Sequence, residues 1–403
     1  MERSKQPEKS CCAPARPARD VAVGPTGLRM LPIAQPPQDE PCCGLPPGPP
    51  SSPFERPGYR LCGFVDDFIE TANGAVPLVK TTLDSADNRG TFRARFNIGR
   101  NNYRVAPGLY GVGRPDREAP VLVTANYKLS FDSLRQELAG IDAWILVLDT
   151  RGINVWCAAG KKTFSTDEVI NRVQAVGLAQ VVGHRRLILP QLAATGVAAH
   201  RVRKGCGFEV VWGPIRAGDI GRFLESGLRA DTGMRRVTFS LAERLILIPV
   251  EVSLTLKPAL WVLLVAFFLS GIGPEVFSLR AAWQKGLAVF AASLVGIVAG
   301  ALVVPGLLPW LPGRSFYLKG ILTGLAGGVW VATVYVARTG PYGAAALIFY
   351  TVAVSSYLAM NFTGATPYTS PSGVEKEMRR GIPLQAVAVV LAVVAWLGSA
   401  FSG

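Results

Sequence analysis

Five stretches toward the C-terminus contain no Asp, Glu, Lys or Arg: Pro258–Ile272 (with slight extension at both ends), Gly286–Leu308, Gly320–Ala337, Tyr342–Asn361 and Pro383–Ser402. A bilayer core about 30 Å thick is crossed by roughly 20 apolar helical residues. Residues 258–403 are therefore expected to form an all-α transmembrane domain of five helices. Gly296 and Gly300, and Gly320, Gly324 and Gly328, recur at the four-residue spacing that lets helix backbones approach closely. No ionisable group falls in mid-span, as an ion path would require, so this part reads as a packed anchor rather than a transporter. With the N-terminal part inside, loops 309–319 and 362–382 are also inside and carry two and three Lys/Arg, against two, one and none outside. Together with Arg235, Arg236, Arg244 and Lys257 ahead of the first span, the positive-inside rule favours a domain on the cytoplasmic side of the inner membrane.

The formal charge of +14 would suit nucleic acid, but its placement argues otherwise. Before Leu254 there are 33 basic and 25 acidic residues, an ordinary excess for a domain facing anionic headgroups, and no basic–aromatic interleaving stands out. No nucleic-acid partner is expected. Seven cysteines, at Cys11, Cys12, Cys42, Cys43, Cys62, Cys157 and Cys206, are an odd number without a disulfide framework. The polar, proline-interrupted start does not resemble a signal peptide, which fits a reducing cytoplasm. The absence of CxxC spacing leaves no expected iron–sulfur cluster in this chain, so electrons must come from a partner.

Residues 1–58 are rich in Pro and Gly and are expected to be a disordered tail. Residues 59–235 alternate apolar strands with amphipathic helices. Strands are expected at Pro120–Asn126, Ala143–Thr150, Leu187–Leu189 and in "FEVVWGP", and helices at Phe131–Leu138, Thr166–Val176, Leu192–Val202 and Ile220–Leu228. Ser165 and Glu168 suggest a capping box, with Gly177 as the stop. This alternation predicts a Rossmann-like parallel sheet. Residues 236–257 read as a linker or an amphipathic segment able to lie along a bilayer, or as a last strand and helix of the domain.

In such sheets ligands bind beyond the carboxyl ends of the strands. The loops there are Thr124–Lys128, Asp149–Lys161, Pro190–Leu192 and Trp212–Pro214, and the second is long and holds a cysteine. In Asn154-Val155-Trp156-Cys157-Ala158-Ala159-Gly160-Lys161, helix amides and Lys161 and Lys162 would favour a thiolate. Ala158, Ala159 and Gly160 would leave room for a flat ligand, and Trp156 could pack the loop onto the domain. From the residues alone, a metal ligand and a buried structural cysteine stand level.

That segment resembles, at all eight positions, the cap-helix signature of the mercury-methylating corrinoid protein family. The stretch "APGLYGVGRPDREAPVLVTANYKLSFDSLRQEL" also resembles the large subunit of the corrinoid iron–sulfur protein. The likeness spans roughly residues 60–255, and it implies an α/β corrinoid-binding domain ahead of the five helices. It implies that Cys157 ligates cobalt from below, that Asn154 orients the cap, and that Val155, Trp156, Ala158, Ala159, Gly160 and Lys161 surround the corrinoid. Thr124, Ala125 and Asn126, then Leu189, Pro190, Gln191 and Leu192, then Gly213 and Pro214, would complete the cofactor site. The sequence lacks the relative's cysteine-rich cluster domain and the Asp-x-His-x-x-Gly motif of histidine-ligated cobalamin proteins. Its two histidines, His184 and His200, stand beside arginines.

The resemblance implies a methyltransferase passing a methyl group from cobalt to Hg(II), an electrophile that must receive it as a carbanion equivalent or radical. Thiolate donates electrons more strongly than imidazole or water, as in thiolate-ligated haem. A ferredoxin-like protein with two [4Fe–4S] clusters would re-reduce the cobalt, and a methyl-folate system would remethylate it. Gly152 and Gly160 could be hinges for cap opening or simple turn residues. A membrane-bound corrinoid methyl carrier of one-carbon metabolism with another acceptor is the competing reading.

Overall fold

The computed structural model describes residues 48–401 apart from 53, 54, 59, 275, 367, 368 and 370. The tail cysteines Cys11, Cys12, Cys42 and Cys43, and most of the segment expected to be disordered, lie outside the described residues. Its described end is held to the domain: the Gly48 amide donates to Arg151 O, and the Ser51 amide to Asp149 Oδ2 at 2.7 Å.

Seven strands form one sheet: β1 (Val65–Thr71), β2 (Gly74–Val79), β3 (Gly108–Val112), β4 (Val121–Ala125), β5 (Ala143–Leu148), β6 (Arg186–Leu189) and β7 (Glu209–Trp212), in the order β1-β2-β3-β5-β4-β6-β7. From β5 through β4 and β6 to β7 the pairing is parallel. The runs of β5 and of β4, apolar but for Thr124, are buried on both faces, as central parallel strands require. The expectation of a parallel sheet needs correction on the other flank, where β1–β2 and β3–β5 are antiparallel. A parallel connection needs a dozen or more residues, and the chain has only Ala72 and Asn73 between β1 and β2.

Helices cover both faces. On one lie α2 (Lys128–Gln136) and α7 (Ile220–Glu225), with Phe131, Leu134, Ile220 and Phe223 in the core. On the other lie α3 (Val155–Gly160), α4 (Thr166–Ala175), the single turn α5 (Leu178–Val181) and α6 (Ala199–Cys206). An edge helix, α1 (Ser85–Arg95), follows β2. Only half of the expected capping box forms: Ser165 Oγ accepts the Glu168 amide, while the Glu168 carboxylate turns to the Asp149 amide and Arg172. The helix expected from Leu192 starts only at Ala199, and Gln191–Ala193 form a separate 3-10 turn ahead of it.

Among the described residues, four helices are long and apolar enough to cross a membrane: Leu241–Gly271, Leu279–Gly306, Phe316–Ala365 and Ser372–Gly398. The first joins α8 (Leu241–Leu245) to α9 (Ile248–Gly271), so residues 236–257 hold no strand. A small hairpin, β8 (Ile272–Gly273) and β9 (Val276–Phe277), leads to α10 (Leu279–Ile297), which runs through a π-turn into α11 (Val304–Gly306). In α12 (Phe316–Asn361) Gly340 is non-helical at φ 69°, ψ 179°, before Pro341. There the chain folds back: Gly320 faces Ser356, Gly324 faces Val352 and Ser355, and Gly328 faces Ile348. Gly296 and Gly300 meet the same second arm at Val354 and Ser355. Both glycine rows thus serve close helix approach, and the stretches Gly320–Ala337 and Tyr342–Asn361 occupy separate arms. The last helix is α13 (Pro371–Gly398).

Arg244 donates to Pro305 O at 2.7 Å and Gly306 O at 3.1 Å, and the Glu377 carboxylate accepts the Tyr317 amide at 2.7 Å. Loops 309–319 and 362–382 therefore share the end of the bundle at which the α/β part joins it.

Candidate functional site

The register aligns the strand ends: Ala125 pairs with Leu148, and Leu189 with Trp212. Between β4 and β6 the order switches, since β4 leads through α2 to β5 and β6 leads through α6 to β7 on the opposite face. A crevice must open there. It is a cavity of about 400 Å³ running over Leu122 and Ile188 between α2 and α7, up to the start of α3. Of the residues expected at the site, Thr124, Asn154, Val155, Trp156, Leu189, Pro190, Leu192, Gly213 and Pro214 line it. Leu129, Ser130, Ser133, Arg216 and Ala217 line it as well and were not foreseen. The small, hydroxylated face of α2 at Ser130 and Ser133 was the available signal. No Asp or Glu lines the cavity, and Arg216 is paired with Glu243 at 2.6 Å.

Cys157 does not sit in a loop ahead of a helix. It is the third residue of α3, a helix capped by Asn154, whose Oδ1 accepts the Cys157 amide at 2.9 Å. The thiol-bearing residue is half-buried. Ala158 and Ala159 are not open to a ligand: they are buried in the domain core, and Ala159 packs on Gly196. Small residues are needed there so that α3 can seat closely on the domain. That seating turns the opposite face outward: Trp156 is 37% exposed and walls the cavity instead of packing the loop down. Gly160 ends the helix and is exposed, and Lys161 follows as its C-cap. Gln191 lies beside the cavity in the turn after β6, with its Oε1 accepting from Arg235 at 2.5 Å.

Ala125 and Asn126 are fully buried and stand behind the site rather than in it. Asn126 Oδ1 accepts the amides of Thr150 at 3.1 Å and Gly152 at 2.9 Å, and lies 2.9 Å from the Thr150 hydroxyl. Its Nδ2 donates to Asp149 Oδ1 at 3.0 Å. Asn126 thereby fixes the turn that delivers α3. Gly152 (φ 75°) is a turn residue in that clamp, where an added Cβ would come 3.0 Å from Asn101 O.

A second polar network went unforeseen. Lys128 Nζ contacts Asp87 at 2.6 Å and Asp132 at 2.7 Å, and Arg135, fully buried, bridges the same two carboxylates. Burial alone would push the Asp87 carboxyl up, but Lys128 and Arg135 hold it below its ordinary value. The cluster ties α1 to α2. His184 engages Ala119 O and the Arg186 amide, and His200 is exposed at the start of α6; neither lines the cavity. Burial pushes the Cys62 and Cys206 thiols up.

A family model described as the CO dehydrogenase/acetyl-CoA synthase delta subunit matches residues 92–224, which include α3 and nearly the whole cavity wall. The chain is 32% identical over 140 residues to the acetyl-CoA decarbonylase/synthase complex subunit gamma of Archaeoglobus fulgidus, covering 34% of this chain and 29% of that protein. It is 34% identical over 128 residues to the gamma subunit of Methanopyrus kandleri, with 31% and 27% covered. The Methanocaldococcus jannaschii gamma subunit is 31% identical over 124 residues, with 30% and 25% covered. The chain thus spans under a third of the length of these relatives.

Proposed function

We propose that this chain is a membrane-anchored corrinoid methyltransferase that passes a methyl group from cobalt to Hg(II), with the Cys157 thiolate as the group that would hold the cobalt. The observation that carries the reading is Cys157 in the first turn of a capped, core-seated helix beside a crevice lined by no carboxylate, within the eight-residue signature Asn154–Lys161. The crevice suits such a group: its wall has apolar side chains, the hydroxyls of Thr124, Ser130 and Ser133, and no carboxylate to compete for the metal. The neighbouring Cys157 sulfur is the soft donor, and Trp156 and Pro190 would flank the bound group. When bound, the corrinoid supplies a methyl group on cobalt. Cys157 would push electron density toward the metal and so favour release of that methyl to an electrophile. Asn154 and Asn126 would hold the sulfur in place.

The wider assignment belongs to the same proposal. Residues 59–235 are the corrinoid domain on the cytoplasmic side, and the C-terminal helices make five crossings once α12 is counted as two arms. Re-reduction falls to a ferredoxin-like protein with two [4Fe–4S] clusters and remethylation to a methyl-folate system. The relatives are subunits of acetyl-CoA decarbonylase/synthase complexes by name, and a second reading makes this chain a membrane-bound corrinoid methyl carrier of one-carbon metabolism with an acceptor other than mercury.

Anaerobic reconstitution of the full-length protein with cobalamin, followed by visible spectroscopy and a methylmercury assay, tests both. The wild type is expected to show a thiolate-ligated spectrum and to form methylmercury. Cys157→Ala should bind corrin, lose that spectrum and lose methylmercury formation. Full activity in Cys157→Ala removes the cysteine from the mechanism. A thiolate spectrum without methylmercury favours the second reading, and failure to bind corrin defeats both.

A further inference from the structure

On α1, Arg89, Phe92, Arg93 and Phe96 share one exposed face. Phe92 is 60% and Phe96 39% exposed, their rings 4.5 Å apart, and Ile98, at 52%, extends the patch. Asp87, the one acid within the helix, points away into the buried ion cluster, so the exposed face is basic and aromatic together. Nothing in the fold accounts for large apolar groups there, since the helix is already tied down through Ala94 and Asp87.

Its location identifies what covers it. The chain after α1 turns through Asn97 and Gly99, both left-handed, to Arg100. The Arg100 guanidinium lies over the ring of Tyr127, just past the carboxyl end of β4, at 5.5 Å, and at the same edge of the sheet Arg216, just past β7, pairs with Glu243 of α8 at 2.6 Å. The corner carrying Phe96 and Ile98 therefore lies at the edge of the sheet from which the chain enters the apolar helices. At the same end of the bundle α8, tethered by Arg244 to Pro305, exposes Leu241 and Leu245.

We propose that the Arg89–Phe92–Arg93–Phe96 face of α1 docks on the anionic headgroup layer of the membrane that the C-terminal helices cross. The arginines meet lipid phosphates and the phenyl rings enter the acyl boundary, which fixes the α/β domain at a second point beyond the α9 junction. This rests on the reading of those helices as membrane spans.

The test places a photoreactive benzophenone side chain at Phe96 in the full-length protein, reconstituted in nanodiscs containing phosphatidylglycerol. Trp261, on the exposed side of α9, and Lys204, on α6 across the sheet, serve as comparison sites. Lipid adducts are expected at 96 and 261 and not at 204. Adducts at 96 should fall several-fold in Arg89→Glu/Arg93→Glu, or when phosphatidylcholine alone is used, with those at 261 unchanged. Adducts at 261 without adducts at 96 overturn the docking while leaving the spans intact. Absence at both sites overturns the spans and the docking together. Adducts at 96 to protein instead of lipid make α1 a protein-docking face and also overturn the proposal.

Discussion

Replacing Asn126 by Ala removes one side chain that satisfies a whole turn. The Gly152 amide loses its acceptor, the Thr150 amide is left with the Leu148 carbonyl alone, and Asp149 loses a donor, while the strands on either side keep their ladders. Leaving a buried polar group unsatisfied costs about 1–3 kcal/mol. The buried Thr150 amide keeps the Leu148 carbonyl, so most of the cost falls on the half-buried Gly152 amide, which recovers part of it from water. A total of about 1.4 kcal/mol is expected, roughly a tenfold rise in the opening equilibrium of residues 149–160. Hydrogen exchange by mass spectrometry on the full-length protein reads this directly: peptides across 149–160 should exchange faster, and those in β4 and β5 little changed. Unchanged exchange across 149–160 would refute the clamp. Equal acceleration throughout the sheet would show Asn126 to be a general core residue rather than the holder of α3.

Trp156→Ala should leave the fold intact, since the ring is over a third exposed, and weaken cobalamin binding about tenfold (~1.4 kcal/mol), as measured by titration of absorbance. Gly300→Val should lower the melting temperature in detergent by an overpacking cost of about 1–3 kcal/mol, because even a Cβ there would come 2.5 Å from Ser355 O; Gly306→Val, with nothing within 4 Å, should not. Because the folded-state Asp87 carboxyl is held below its ordinary value of 3.8, its contribution is present above that value and is lost as pH falls through the lower folded one. Exchange protection of α1 should therefore collapse at acid pH, and Asp87→Asn should be weakly protected already at neutral pH.

The parallel core was legible because β4 and β5 are near-continuous apolar runs and because Gly177 marks the end of α4. The antiparallel flank was not. Its main signal is the close spacing across Ala72 and Asn73 with Gly74 at φ 104°, and the β1 run Val65–Thr71 is too polar to stand out as a strand. Site loops could be placed from topology alone, since any side chain just past Ala125, Leu148, Leu189 or Trp212 must reach the same edge. Topology cannot tell a wall from a buttress, however. Asn126 and Thr124 are two residues apart and would share a face of a continuing strand, yet one is sealed behind the site and the other faces the cavity, because β4 ends at Ala125 and Asn126 turns to the Thr150 and Gly152 amides. Likewise the Ala-Ala pair reads equally well as ligand clearance or as close packing, and only Gly196 on the opposing element decides for packing. The Lys128–Asp132–Arg135 spacing was visible as a helix face, but its partner Asp87 lies 41 residues before Lys128.

A helix as short as α3, six residues, has no stability of its own, because nucleation alone outweighs so few hydrogen bonds. Its existence depends on Asn154 at the N-cap, on Ala158 and Ala159 in the core, and on the Asn126–Asp149 clamp before it. Cys157 is thus presented by tertiary structure, and a peptide carrying the eight-residue signature should bind no corrin in the same way. The same three supports limit how the cap could open for remethylation. A hinge at Gly152 would have to break the hydrogen bond that its amide donates to Asn126 Oδ1 and leave a left-handed turn already pressed on Asn101. Hinging after Gly160 alone would tear Ala158 and Ala159 from the core. Opening should therefore involve the whole 149–160 segment, including its contacts with Gly48 and Ser51. Deleting residues 48–52 should accordingly speed exchange across 149–160 while leaving α4 and β6 protected. If that deletion leaves the segment's exchange unaltered, the strap plays no part in holding the cap.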